Sequence, residues 1–382
     1  MVDRAAGPGR RRLRAAARRL RLHARVPDRA RLHRQPHPAD LRRHLGDHDR
    51  NHRSLVEPRL SKPISPASIH GGPVSTAPLS GRGGPVDGSE TFELADGTVI
   101  AVQVSGRSDA AATVVLHHGW TQDHTSWEDV ARILASDLRV ITYDARGHGA
   151  SDAGPRGSAT IEQLADDLAD VIVHLIPRGP VVLAGHSLGG PVLMAFAERH
   201  TTLFTDRVVG IAMVATSAAG IGRDILGLPG TITTPLLLVA PGILRLRTLS
   251  RARVNTRFPR LIAEAVRLGL YAPGHATPYN RKRTAIQVAR SHPETTAALA
   301  AAIIRHDRRE MLRAFDTVRT VVLAGTRDGL TPIAHSRALA EALPHAELVV
   351  YPKAGHMLPY ERATEVAAQI AALASEPGEA TG

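Results

Sequence analysis

The 382-residue chain contains no cysteine. Disulfides, thiolate metal ligands and a cysteine nucleophile are thereby excluded. Aromatic residues make up only 3% of the chain. So sparse a set leaves no stacking platform for single-stranded nucleic acid, whatever the net charge of +12 suggests. That charge is also uneven. Residues 1–60 hold 17 arginines against six acidic residues, and residues 217–310 hold 15 basic against five acidic, so the rest of the chain is acidic on balance. No nucleic-acid partner is therefore expected. No run of 18 apolar residues occurs, and arginines interrupt every apolar stretch from Arg10 to Arg31. Neither a spanning helix nor an export signal is read, and a cytoplasmic location is the resulting expectation.

What is present falls into regions. Residues 1–60 show no steady apolar stripe and cannot make a core. They are expected to be a disordered basic tail, or translated text upstream of the true start. Residues 61–90 are rich in Pro, Gly and Ser and read as a linker. From about residue 91 the pattern changes. A turn signal at Asp96-Gly97 predicts a hairpin. Short, nearly continuous apolar runs follow at Thr113–Leu116, Arg139–Tyr143, Val181–Ala184, Val208–Val214, Thr320–Ala324 and Glu347–Tyr351. They alternate with helical stretches near 126–136, 160–176, 188–200, 332–343 and 360–374. Such alternation predicts an α/β fold, a mostly parallel sheet flanked by helices. Residues 217–310 are too long for an ordinary crossover. They read as a helical cap inserted after the sixth strand, with the core at 91–216 and 311–376.

The chemistry is carried by a strand, Val181 to Ala184, that runs into Gly185-His186-Ser187-Leu188-Gly189 and then into a helix. The G-x-S-x-G pattern alone is weak, but a strand before it and a helix after it make it a nucleophile elbow. Glycines at 185 and 189 admit the tight turn that exposes the serine hydroxyl. A serine needs a base, and the base needs a carboxylate. His356 lies just past the strand ending at Tyr351, and Asp328 just past the strand ending at Ala324. Both are thus at the C-terminal edge of the sheet, where α/β sites are built. The order Ser, Asp, His is the one the elbow architecture uses. An oxyanion hole needs two preorganised amide donors. Leu188 N–H is one candidate. Trp120 N–H, at the end of His117-His118-Gly119-Trp120, is the other, with Gly119 letting the backbone approach. His117 and His118 with Asp123 and His124 do not match a metal-ligand spacing, and neither metal nor cofactor is called for.

Five pieces carry a resemblance. They are His118-Gly119-Trp120, Asp144 to Ser151 in the pattern D-x-R-G-x-G-x-S, Gly185 to Gly189, Gly325 to Asp328, and Gly355-His356. Together, over residues 91–376, the chain resembles the α/β-hydrolase family, in the branch with a helical cap. Serine at the elbow, where epoxide hydrolases and haloalkane dehalogenases of this branch carry aspartate, argues against those activities. The resemblance implies hydrolysis of a carboxylic ester or thioester, as by an esterase or lipase. Acyltransferases, cofactor-free perhydrolases and carbon–carbon hydrolases share the same triad, and ligand-binding proteins of this fold can keep it. The Asp144 to Ser151 loop is expected to be structural. In the cap, Ile225 to Leu246 is strongly apolar, interrupted by Pro229, Pro235 and Pro241, and followed by arginines from Arg245 to Arg260. It reads either as a lid over a lipophilic substrate with a solvated basic face, or as a surface that docks on anionic lipid.

Overall fold

A computed structural model describes residues 85–219 and 270–375. The expectations for residues 1–60, for most of the linker, and for the apolar and arginine-rich stretch from Ile225 to Arg260 lie outside the described residues. Eight strands form one sheet in the order β1-β2-β4-β3-β5-β6-β7-β8. They are β1 (Pro85–Glu93), β2 (Val99–Arg107), β3 (Thr113–His117), β4 (Arg139–Tyr143), β5 (Val181–His186), β6 (Val208–Val214), β7 (Arg319–Gly325) and β8 (Glu347–Tyr351). The hairpin β1–β2 is antiparallel, and β2 meets β4 antiparallel. Every pair from β4 through β3 to β8 is parallel. The hairpin turns at Gly97, whose φ of 81° needs a residue without a side chain. Strand β1 begins at Pro85, several residues before the expected onset of the core.

The parallel strands β3 to β7 are buried on both faces because helices cover both, while the edge strand β8 is only partly buried. Helix α1 (Glu128–Leu134) follows a 3-10 turn (His124–Trp127). Helix α2 (Ile161–Leu175) is capped by Thr160, whose hydroxyl accepts from Gln163 N at 3.0 Å. Helices α3 (Gly189–Arg199) and α4 (Thr201–Arg207) lie between β5 and β6. In the insertion between β6 and β7 stand α5 (Pro278–Arg290) and α6 (Pro293–Arg305), each with proline in its first turn, where no amide is needed. Helices α7 (Ile333–Ala342), α8 (Leu358–Glu361) and α9 (Ala363–Ala374) complete the core. The stretch expected as one helix over 360–374 is broken at Arg362, whose φ of −141° is not helical. Two apolar layers result. One packs Leu164, Leu168 and Ile172 of α2 with Val192 and Phe196 of α3. The other packs Val130 and Leu134 of α1 with Val366 and Ile370 of α9.

The sheet order places the site. From β3 the chain moves to β4 on one side, then returns to β5 on the other. The loops leaving β3 and β5 therefore diverge, and a crevice opens between them at their C-terminal ends.

Candidate active site

The serine loop sits in that crevice. Ser187 has φ of 52°, in the left-handed region that a residue with a side chain adopts only under constraint. The constraints are visible. Ser187 N donates to Val214 O at 2.9 Å, and its carbonyl accepts from Gly190 N at 3.0 Å and from the Thr216 hydroxyl at 2.7 Å. The elbow also needs its glycines. A Cβ on Gly185 would stand 2.5 Å from the carbonyl carbon of Gly189, and one on Gly190 would stand 2.2 Å from Thr216 Oγ1. The turn thus feeds directly into α3, whose N-terminal amides face the crevice.

Asp328 and His356 come from the loops after β7 and β8 and meet in the interior. His356 Nδ1–H donates to Asp328 Oδ2 at 2.9 Å, with both residues buried. Asp328 is held from the other side. Its Oδ1 accepts from Leu330 N at 2.9 Å and Thr331 N at 2.8 Å, and its Oδ2 accepts from the Thr331 hydroxyl at 2.6 Å. Burial pushes the Asp328 carboxyl upward, but the adjacent His356 and these donors outweigh it and hold it below the usual carboxylate value. It is therefore an anion at neutral pH. Thr331 carries no recognisable motif, and only its position three residues past Asp328 links it to the site.

The two expected oxyanion amides differ in setting. Leu188 N leads into α3. Trp120 opens a tight turn after β3 in which Thr121 has φ of 62° and Gln122 N donates to Gly119 O at 3.1 Å. Among the described residues neither amide is taken by a protein acceptor. Gly119 is closely packed, since a Cβ there would lie 3.0 Å from His186 Nδ1 and 3.2 Å from the Gln122 amide. Its own amide donates to Gln122 Oε1 at 3.2 Å. Gln122, like Thr216, belongs to the site and stands outside the motifs that sequence reasoning used.

The loop from Asp144 to Ser151 is tied into the core through Asp144, Arg146 and Ser151. Asp144 accepts from His124 N, His124 Nδ1 and Ala150 N at 2.7, 2.7 and 2.8 Å. Arg146 is fully buried and donates to Asp167 at 2.6 and 2.7 Å, to Asp96 at 2.9 Å and to Ser158 at 2.8 Å. His118 ties this loop to the oxyanion strand. Its Nδ1–H donates to Gly119 O at 2.8 Å, and its Nε2 accepts from Ala145 N at 3.0 Å. Asp123, His124 and Asp144 have ligand-type atoms within 4.8 Å of one another. Those atoms are engaged internally: Asp123 Oδ1 accepts from Thr125 and from Gln287 Nε2, and Asp144 Oδ1 from His124. No helix among the described residues is long and apolar enough to cross a membrane.

A family model described as alpha/beta hydrolase fold matches residues 112–363, more than half of the chain. The pimeloyl-[acyl-carrier protein] methyl ester esterase of Chromobacterium violaceum is 30% identical over 243 residues, which cover 64% of this chain and 86% of that protein. The uncharacterized protein Rv2715 of Mycobacterium tuberculosis is 28% identical over 277 residues, covering 69% of this chain and 75% of that one. Among solved structures, a thermophilic esterase from Thermogutta terrifontis superposes with a TM-score of 0.61 at 28% identity, over 75% of this chain and 97% of that one.

Proposed function

Because the chain belongs to the alpha/beta hydrolase fold family, with esterases among its neighbours in sequence and in structure, we propose that it is a serine hydrolase that cleaves a carboxylic ester or thioester of a lipophilic substrate. The observation that carries the reading is the buried 2.9 Å bond from His356 Nδ1 to an anionic Asp328. It fixes the tautomer with the proton on Nδ1 and leaves Nε2 as the basic nitrogen.

In the proposed reaction His356 Nε2 takes the Ser187 proton as the hydroxyl oxygen attacks the substrate carbonyl. Asp328 stabilises the imidazolium that forms. The amides of Leu188 and Trp120 receive the developing oxyanion, each worth about 10²–10³ in turnover. The imidazolium then protonates the departing alcohol or thiol, leaving an acyl group on Ser187. Water, deprotonated by the same nitrogen, releases the acid and restores the serine. The left-handed φ of Ser187 suits this role, because it belongs to the sharp strand-to-helix turn that a nucleophile elbow requires.

The test is covalent. A fluorophosphonate is expected to label Ser187, located by mass spectrometry, with loss of activity on short p-nitrophenyl esters in step with labelling. Unlabelled, folded protein, or ester hydrolysis that survives Ser187→Ala, would refute the proposal.

A further inference from the structure

The segment that follows the Trp120 amide is tied to Asp144, His186 and Met357 through His124 and Gln122, and on its other side to helices α5 and α6 and the turn between them. The Ser291 hydroxyl lies 3.1 Å from Thr121 O and 3.0 Å from Gln287 O, so its one proton is shared between the two carbonyls, and the Trp120 indole Nε1–H donates to Thr296 O at 3.0 Å. One turn back on α5, the buried Gln287 donates through Nε2 to Asp123 Oδ1 at 2.7 Å and to Thr125 Oγ1 at 2.9 Å. Arg283 bonds Thr125 O and Glu128. At the elbow between the two helices, His292 N donates to Gly147 O at 2.7 Å. Thr121 keeps its φ of 62°, which a β-branched residue adopts only when its surroundings impose it. Around it stand the turn bond from Gln122 N to Gly119 O and the Ser291 hydroxyl beside its carbonyl.

We infer that α5 and α6 position the Trp120 amide, so that the seating of this helix pair sets the oxyanion hole and with it the turnover of the site. Ser291 and the Trp120 indole are the positioning groups. The inference rests on the ester-hydrolase reading above. A helix pair that merely walled a substrate pocket would act on KM. One that aims an amide acts on kcat, because an oxyanion is present only in the transition state.

The experiment uses the full chain with Ser291→Ala and Trp120→Phe, singly and together, and Ser291→Thr as the variant that keeps the hydroxyl. Three quantities are read: kcat and KM on a short p-nitrophenyl ester, inhibition by an alkyl boronic acid that forms a tetrahedral anion on serine, and deuterium uptake of residues 117–125. Ser291→Ala and Trp120→Phe are each expected to lower kcat about tenfold, a fraction of the loss of a whole donor, with KM within about twofold. Boronate affinity should fall by the same factor, uptake should quicken, and Ser291→Thr should retain wild-type kcat. If the double variant does not fold, Ser291→Ala against Ser291→Thr decides alone. Unchanged kcat, or a loss confined to KM, overturns the inference while fluorophosphonate labelling of wild-type Ser187 leaves the hydrolase reading standing. A wild-type protein that takes no label overturns both.

Discussion

His186 Nε2–H donates to the main-chain carbonyl of His356 at 2.9 Å, and the two rings stand 5.0 Å apart. The residue before the proposed nucleophile therefore holds the backbone of the proposed base. Burial and the neighbouring His356 push the His186 pKa down to about 3, so the ring is neutral at any working pH; its single proton serves the shorter contact, from Nε2, and Nδ1 lies 3.1 Å from the acceptor Gln122 Oε1 with no proton to give it. A second tie reaches the same loop from the insertion, where His356 N donates to Leu270 O at 3.0 Å. Both main-chain polar groups of His356 are thus fixed by parts of the chain far away in sequence.

His186→Leu is expected to keep the fold's apolar volume and lose the tie to His356. A misplacement of the base by about 1 Å costs on the order of 10² in turnover. The expected result is a fall in kcat with KM little changed, and Asp328–His356 pairing retained. Steady-state kinetics check it, and wild-type kcat in His186→Leu would show that Leu270 alone suffices.

Asp328→Asn probes the tautomer. The asparagine amide turned toward His356 Nδ1 would force the imidazole proton to Nε2, the atom that must accept from Ser187. A loss of about 10³–10⁴ in kcat is expected with the fold intact. Thr331→Val should cost much less, since two backbone amides still bond the Asp328 carboxylate. Comparing kcat for the two variants checks the ranking, and equal losses would contradict it.

Strain at Ser187 gives a stability prediction opposite in sign to the activity one. A residue with a Cβ at φ of 52° costs about 1 kcal/mol or more relative to glycine. Ser187→Gly should therefore be inactive yet more stable than Ser187→Ala by about 1 kcal/mol, read as a higher denaturant midpoint at unchanged m-value. If Ser187→Ala is the more stable of the two, the strain is relieved by something other than the elbow bonds described.

Much of this architecture is legible in the sequence because it is local. The strand–GHSLG–helix run, the alternation of apolar runs with amphipathic helices, and the Asp and His just past strand ends each need only a short window. The less legible parts are contacts between distant segments. Nothing near Thr331, Gln122 or Gln287 marks them, because their roles arise only when β3, β7 and α5 converge. The start of β1 at Pro85 hides in a Pro- and Gly-rich stretch that pairs with β2 through its backbone, with little help from side-chain pattern. The break at Arg362 is hidden for a similar reason, since apolar spacing runs on across it into α9.

The buried histidines make stability acid-sensitive. Burial pushes His117 down to about 4, aided by His148, and pushes His306 down to about 4, aided by Arg308. His186 lies at about 3 for the reasons given above. In the unfolded chain each would titrate near 6.5. Their folded values are lower, so between pH 6.5 and about 4 the unfolded chain binds protons that the folded chain refuses. Stability is then complete above about pH 7 and falls as the pH drops. These three groups by themselves contribute a loss of about 4 kcal/mol between pH 7.5 and 5.5, and His118 and His148, also depressed by burial, act in the same direction. Two groups oppose this: Asp144 raises His124 despite its burial, and burial raises Asp167 to about 6, so both favour the folded state as the pH falls. His306 is the residue to change. Its ring is buried, 8% exposed, and neither nitrogen has a partner among the described residues. His306→Phe removes one titrating group and the cost of an unsatisfied polar ring. It should raise Tm more at pH 5.5 than at pH 7.5, by the share of one such group. Thermal melts of the two proteins at both pH values test this, and a Tm difference that does not widen toward acid would exclude His306 as a source of the acid sensitivity.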